Sequence, residues 1–249
     1  DLVWDEIILS MMSASRAKEV RKSIQNSHIF LTNPCYTANL GLIKQDSESY
    51  ISTLSSNTRY QINRSIKRYK KLYGDLSLVV AQSSEQALKL FLEAGEYHIS
   101  RWHDSGYKNK QFIQFHENLI RNSFDKKFID IMKVSAGDTL IGILYFHLMN
   151  NRVYFYLQGL NYECDKKLKP GLVAHTIASQ YYLEQGMDSY DFMGGYSQYK
   201  CQLATRTEDL VSVCIQKPRL KFFVEKVGQR VKRLIRNINS RRINYPNST

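Results

Sequence analysis

Residues 153–200 read VYFYLQGLNYECDKKLKPGLVAHTIASQYYLEQGMDSYDFMGGYSQYK. The order predicts an aromatic strand, a turn holding Pro170-Gly171, a helix, a second strand ending in Gly194-Gly195, and Tyr199-Lys200 opening a further helix. The first N–H groups of a helix have no partner inside it and favour anions. A strand, a helix N-terminus and a second strand can therefore frame a phosphate cradle beside a substrate cleft. An ordinary strand-to-helix turn has the same spacing.

Working outward, residues 1–50 predict a small α/β portion. It has a strand over 1–8, a helix over 13–27, a turn at Asn33-Pro34 and a short strand over 40–43. Residues 50–73 predict a basic helix stopped by Gly74, and 76–81 alternate as a strand. Ser83 or Ser84 caps a helix whose apolar face is Ala87, Leu88, Leu90, Phe91 and Ala94. A second helix covers 111–124. Strands over 128–134 and 139–150 flank the turn 135–138, and Asn150-Asn151 leads into a long strand over 152–160. A helix over 171–186 and strands over 189–193 and 211–216 complete the order β-α-α-β-β-β-α-β-α-β from residue 76. Hairpins followed by a β-α-β unit make a mixed sheet of α/β character.

The net charge of +12 is concentrated in two places. Six basic residues and no acidic one lie between Arg59 and Lys71, and ten basic residues stand against Glu225 alone between Lys217 and Arg242. The remainder is close to neutral, unlike a uniformly basic nucleic-acid binder. No apolar run of about 18 residues is present, which argues against a membrane span. No signal peptide is visible. Cys35, Cys164, Cys201 and Cys214 show neither C-x-x-C pairing nor zinc spacing, which suits unpaired thiols in a reducing, cytoplasmic setting. The histidines share no i,i+3 or i,i+4 pair, so no metal site is expected, and the serines lack a nucleophile-elbow context.

The ordered pieces 52–68, 91–102 (ending in Arg101-Trp102), Tyr154-x-Tyr156, Lys169-Pro170-Gly171-Leu172, Tyr190-Asp191-Phe192-x-Gly194 and Tyr199-Lys200 resemble the GNAT acyltransferase superfamily. The resemblance is nearest to its CelD and BioF2-like acetyltransferase branch, a relative of the Fem peptidyltransferases, and covers residues 50–215. It implies a GNAT-like, mixed and mostly antiparallel sheet flanked by helices. It also implies a partial second GNAT-like half and basic helix over 1–75, whose beginning lies before Asp1. An acyltransferase domain over 76–216 and a basic tail over 217–249 follow. The pyrophosphate signature of the superfamily is degenerate here, with Leu168, Gly171 and Val173 at its three positions.

The resemblance adds roles to residues that the sequence alone leaves open. Lys169, Pro170, Gly171 and Leu172 would hold acetyl-CoA or another acyl-CoA as co-substrate. Asp191 would take the nucleophile's proton, or cap a nearby helix. Tyr199 would protonate a thiolate, and Lys200 would bind anionic groups or sit in solvent. Arg59, Arg101, Trp102 and Gly194 would contact substrate, with Arg101 equally suited to a helix dipole. Tyr154 and Tyr156, alternating with Phe155 and Leu157, would face one side, as cleft wall or as core.

The leading expectation is transfer of an acyl group to an amine or hydroxyl of a small-molecule or saccharide-linked acceptor, in envelope or exopolysaccharide metabolism. The cleft would lie where the strand over 152–160 splays from that over 189–193. The alternatives are a Fem-like transferase using aminoacyl-tRNA and a non-catalytic basic module that binds membrane or nucleic acid. The segment 217–242 reads as a basic amphipathic helix suited to peripheral membrane contact or to packing on the domain.

Overall fold

The computed structural model describes residues 4–46, 49–222 and 224. They fall into two compact units: Pro34–Glu208, and the described residues up to Asn33 together with those from Asp209 onward. The elements are β1 (Glu6–Ser13), α1 (Ala14–Ser23), β2 (Ser27–Asn39), α2 (Leu40–Gln45), a 3-10 turn (Tyr50–Thr53), α3 (Ser56–Tyr73), β3 (Leu76–Val80), α4 (Ser84–Arg101), α5 (Lys110–Ser123), β4 (Ile129–Ala136), β5 (Thr139–Met149), β6 (Arg152–Leu160), α6 (Pro170–Glu184), β7 (Ser189–Gly194), α7 (Gln198–Leu203) and β8 (Arg206–Gln216).

In the larger unit the strand order is β2-β7-β6-β5-β4-β3. Every neighbouring pair is antiparallel except β6 with β7, which is parallel. This is the mixed sheet that the pattern predicted, mostly antiparallel and flanked by helices as the resemblance implied. Alternation along β4 divides its side chains between two cores. Ile129 and Ile131 join Phe91 of α4 and Ile120 of α5, while Met132 and Val134 join Ile62 of α3 and Val173 of α6. Each of these side chains, fully buried, contributes about 1.5–3 kcal/mol.

Local chemistry sets the element ends. Ser55 accepts from the Thr58 N–H and caps α3, a contact worth about 1 kcal/mol. Gly74 ends α3 at φ 107°, and a Cβ on the neighbouring Gly137 would lie 2.0 Å from the Tyr73 carbonyl oxygen. Only glycine fits there. Asn150 and Asn151 both take positive φ (51° and 58°), the backbone that a tight β5–β6 hairpin requires.

Three expectations are corrected. Residues 40–43 form a helix, α2, because the Asn39 side chain accepts from the Leu42 N–H and caps it. The strand lies earlier, in β2, and runs through Pro34. Pro34 precedes the first pair of the ladder with β7, Cys35 with Gly194, and its carbonyl accepts from the Gly195 N–H at 3.0 Å, a bond for which it needs no N–H of its own. Tyr154 and Tyr156 share the face of Tyr145 and His147, as alternation predicts, but Leu157 does not face away from them. Phe155 pairs with Phe146 and Leu157 with Tyr145, so Tyr156 is the extra residue of a bulge and Leu157 joins the same face.

In the smaller unit β1 pairs antiparallel with β8, and Ala17 and Val20 of α1 pack on Val211, Val213 and Ile215. Asp5 pairs with Arg219 at 2.7 Å and with Lys221. The basic segment 217–242 lies outside the described residues beyond 224. No helix among the described residues is long and apolar enough to cross a membrane.

Candidate active site

β6 and β7 pair only over Arg152–Tyr154 and Ser189–Asp191. Beyond that point the ladder stops and the strands part. On the β6 side a cleft of about 390 Å³ opens, walled by Gln158 and Leu160 of β6, the loop from Tyr162 to Lys169, and the first turn of α6. Gln61 of α3 and Gln198, Tyr199 and Gln202 of α7 close it.

The N-terminus of α6 is shaped by its sequence. Pro170 occupies the first helical turn, where its missing N–H costs nothing. Ser65 of α3 accepts from the Lys169 N–H at 2.9 Å and fixes the approach to the helix. Lys169 itself supplies no side-chain cap, so the helix start stays open to an anion. Arg68 donates to Asp165 at 2.5 Å along the rim, and the Lys167 N–H, with that guanidinium, holds the Asp165 carboxyl below the ordinary carboxylate range.

Behind the cleft sits His175 of α6, fully buried. Its Nδ1 lies 2.6 Å from the Tyr190 hydroxyl and its Nε2 2.9 Å from Gln158 Oε1. The Tyr199 ring stacks on it at 5.2 Å and 13°. Burial, with the Lys200 charge second, holds the imidazole down to about 3, so it is neutral. Burial also raises Tyr199, which therefore keeps its proton at neutral pH. Sequence reading passed over His175 and Gln158. Their spacing carries no motif, and the one available signal was that His175 falls on the same face of α6 as Gly171, four residues on.

Asp191 and Lys200 do not line the cleft. At the end of β7 the Asp191 carboxylate accepts from the Met193 N–H at 2.7 Å and from Cys35 Sγ at 3.3 Å. Lys200 Nζ donates to the Gly194 carbonyl at 3.0 Å and to that of Met193 at 3.4 Å. These contacts brace a turn in which Met193 has φ 64°. Burial first, then the Asp191 charge, pushes the Cys35 thiol up to about 12, so it is no thiolate nucleophile. Burial lowers Lys200.

The other expected contacts scatter. Arg59 donates to the Ser52 and Leu54 carbonyls at 3.0 and 2.6 Å, locking the turn before α3. Arg101 lies over the Trp102 ring at 5.9 Å and over the ring of the cleft residue Tyr162 at 5.0 Å. Tyr154 stands opposite Asp191 in the ladder, and the Tyr156 hydroxyl is 3.0 Å from His116 Nε2. Of the sequence-selected residues, Lys169, Pro170, Gly171, Leu172 and Tyr199 meet in the cleft. Among the described residues no cluster of three metal-ligating side chains occurs.

A family model for the acetyltransferase (GNAT) domain matches residues 56–201. The chain belongs to this family. No curated protein matches it in sequence. Among solved structures, FemX superposes with a TM-score of 0.59 at 10% identity, over 85% of this chain and 72% of its own. L-PGS from Bacillus licheniformis gives 0.59 at 12% identity, over 89% and 71%. The C-terminal domain of a putative lysylphosphatidylglycerol synthetase from Agrobacterium fabrum gives 0.58 at 8% identity, over 85% and 68%. At such identities the likeness is one of fold.

Proposed function

We propose that the chain transfers an acyl group from an acyl-CoA thioester to an amine or hydroxyl acceptor in the cleft walled by β6, the start of α6 and α7. The observation that carries this reading is the convergence, in one cleft, of an uncapped helix N-terminus and a protonated tyrosine. The residues fit the donor: Gly171 and Leu172 offer N–H groups to its phosphates, and Lys166 and Lys169 line the same cleft. The acceptor attacks the carbonyl carbon, the C–S bond breaks, and the Tyr199 hydroxyl gives its proton to the departing thiolate. The phenolate then takes the proton lost by the attacking amine or hydroxyl, so the tyrosine ends as it began. Positioning supplies most of the acceleration. Asp191 and Lys200 serve this reaction by fixing the Met193–Gly195 turn, which precedes α7 and Tyr199.

An aminoacyl ester donor is the second reading. The observation favouring it is that Leu168, in the first signature position, is buried in the core and offers a phosphate nothing. The basic helix α3, whose Gln61 reaches the cleft, suits an RNA backbone. The fold shared with a putative lysylphosphatidylglycerol synthetase supports the same alternative, as it supports an envelope role for either donor.

Titration calorimetry of the full chain with acetyl-CoA, CoA and bulk tRNA separates the two. Saturable acetyl-CoA binding and thiol release with an amine panel are expected. Salt-steep tRNA binding without any response to CoA would transfer the assignment to the aminoacyl donor.

A further inference from the structure

The buried network behind the cleft determines where its hydrogens lie. Tyr190 is fully buried, and among the described residues its hydroxyl has one hydrogen-bonding partner, His175 Nδ1. A buried hydroxyl places its hydrogen on an acceptor. Nδ1 therefore accepts, and the one N–H of the neutral imidazole is on Nε2. That N–H donates to the Gln158 side chain at 2.9 Å, and its partner there is the amide oxygen. In the opposite tautomer the Nδ1–H would donate to the Tyr190 oxygen and leave the buried hydroxyl hydrogen without an acceptor. The orientation of the Gln158 amide thus follows from the network. The amide NH2 has no partner among the described residues, and Gln158 lines the cleft.

We propose that the Gln158 amide NH2 is the hydrogen-bond donor to the acyl carbonyl oxygen, and that His175 is the positioning residue that aims it. This rests on the acyl-transfer reading above. When the acceptor attacks, the carbonyl π electrons move onto oxygen, and the fixed N–H groups stabilise that developing charge without reorganising. When the C–S bond breaks, the electrons return and the carbonyl reforms. Gln158 neither gains nor loses a proton. Its position suits the task, because it sits on β6 beyond the last pair with β7 and lines the same cleft as the helix start that would hold the donor's phosphates and as Tyr199, which would serve its sulfur. Stacking of Tyr199 on His175 ties the proton donor and the carbonyl donor to one rigid ring.

The test uses the full chain and a ketone analogue of acetyl-CoA, in which a methylene separates sulfur from a ¹³C-labelled carbonyl. Isotope-edited infrared spectra of the bound analogue are compared between wild type and Gln158→Glu, a variant that keeps the oxygen facing His175 and replaces the NH2. The carbonyl band is expected to fall on binding to wild type and to return to its free position in Q158E, with kcat for acetyl-CoA down about 100-fold. Nitrogen NMR is expected to show His175 neutral and protonated at Nε2 in both proteins, which also reports that Q158E is folded. An unchanged band in Q158E, or an Nδ1-protonated His175, overturns the proposal alone. Failure of wild type to bind the analogue overturns the acyl-CoA reading and this proposal with it.

Discussion

Tyr199 shows how one residue's chemistry depends on neighbours far away in sequence. Its raised pKa comes from burial, and its ring position from stacking on His175. Tyr199→Phe keeps the stack and removes the proton. We expect kcat for thiol release to fall at least 100-fold with little change in the KM for acyl-CoA. An equal rate would remove Tyr199 from the chemistry. Lys200 is expected to behave differently. Its ammonium holds two carbonyls of the Met193–Gly194 turn, so Lys200→Met should lower unfolding stability by about 2 kcal/mol, measured by denaturant titration. Tyr199 and the Pro170-Gly171 pair were legible in the sequence because each stands in a local pattern of turn and helix start. Gln158 and His175 were not, since their partnership crosses from a strand to a helix and exists only after packing.

At the level of elements, the opening between β6 and β7 depends on how closely β6 packs elsewhere. Gly159 lies against α4, where an added Cβ would meet the Ala94 carbonyl oxygen at 2.4 Å and its Cα at 2.7 Å. Backbone on both sides cannot yield cheaply. Gly159→Ala is therefore expected to cost about 1–3 kcal/mol of stability in equilibrium unfolding. A neutral effect would mean that β6 and α4 are less tightly packed than this. Most strands and helices of residues 76–216 could be read from periodicity and turn residues, because hydrophobic alternation is local. The misreadings fell where tertiary pairing overrides local signs. Asn39 caps a helix on apolar residues that also suit a strand, and Pro34 lies within β2, just before its first pairing with β7, instead of in a turn. The β6 bulge at Tyr156 leaves Tyr154 and Tyr156 on one face and brings Leu157 onto it, where simple alternation would turn Leu157 away.

For the whole molecule, buried neutral histidines set the response to acid. Burial holds His175 down to about 3 and, with the His147 charge adding to it, His116 down to about 4, against an ordinary value of about 6.5. The unfolded chain takes up these protons below about pH 6.5 and the folded chain does not. Their contribution is complete above that pH and is lost as pH falls toward 4 and 3, at up to about 1.4 kcal/mol per histidine per unit. Denaturant midpoints should be lower at about pH 5.5 than at about pH 7, and equal midpoints would contradict this. Family and fold were legible across the domain because many ordered pieces point the same way, whereas the donor depends on a few groups at the start of α6. Gly171→Glu tests that point most directly. A carboxylate in the first turn favours the helix dipole, and its Cβ meets only the flexible end of Leu160 at 3.3 Å, so the fold should persist. The same carboxylate repels a phosphate. Calorimetric titration of acetyl-CoA should show saturable binding to wild type and none to G171E at an unchanged melting temperature. Equal binding by the two proteins would contradict a donor held at the N-terminus of α6.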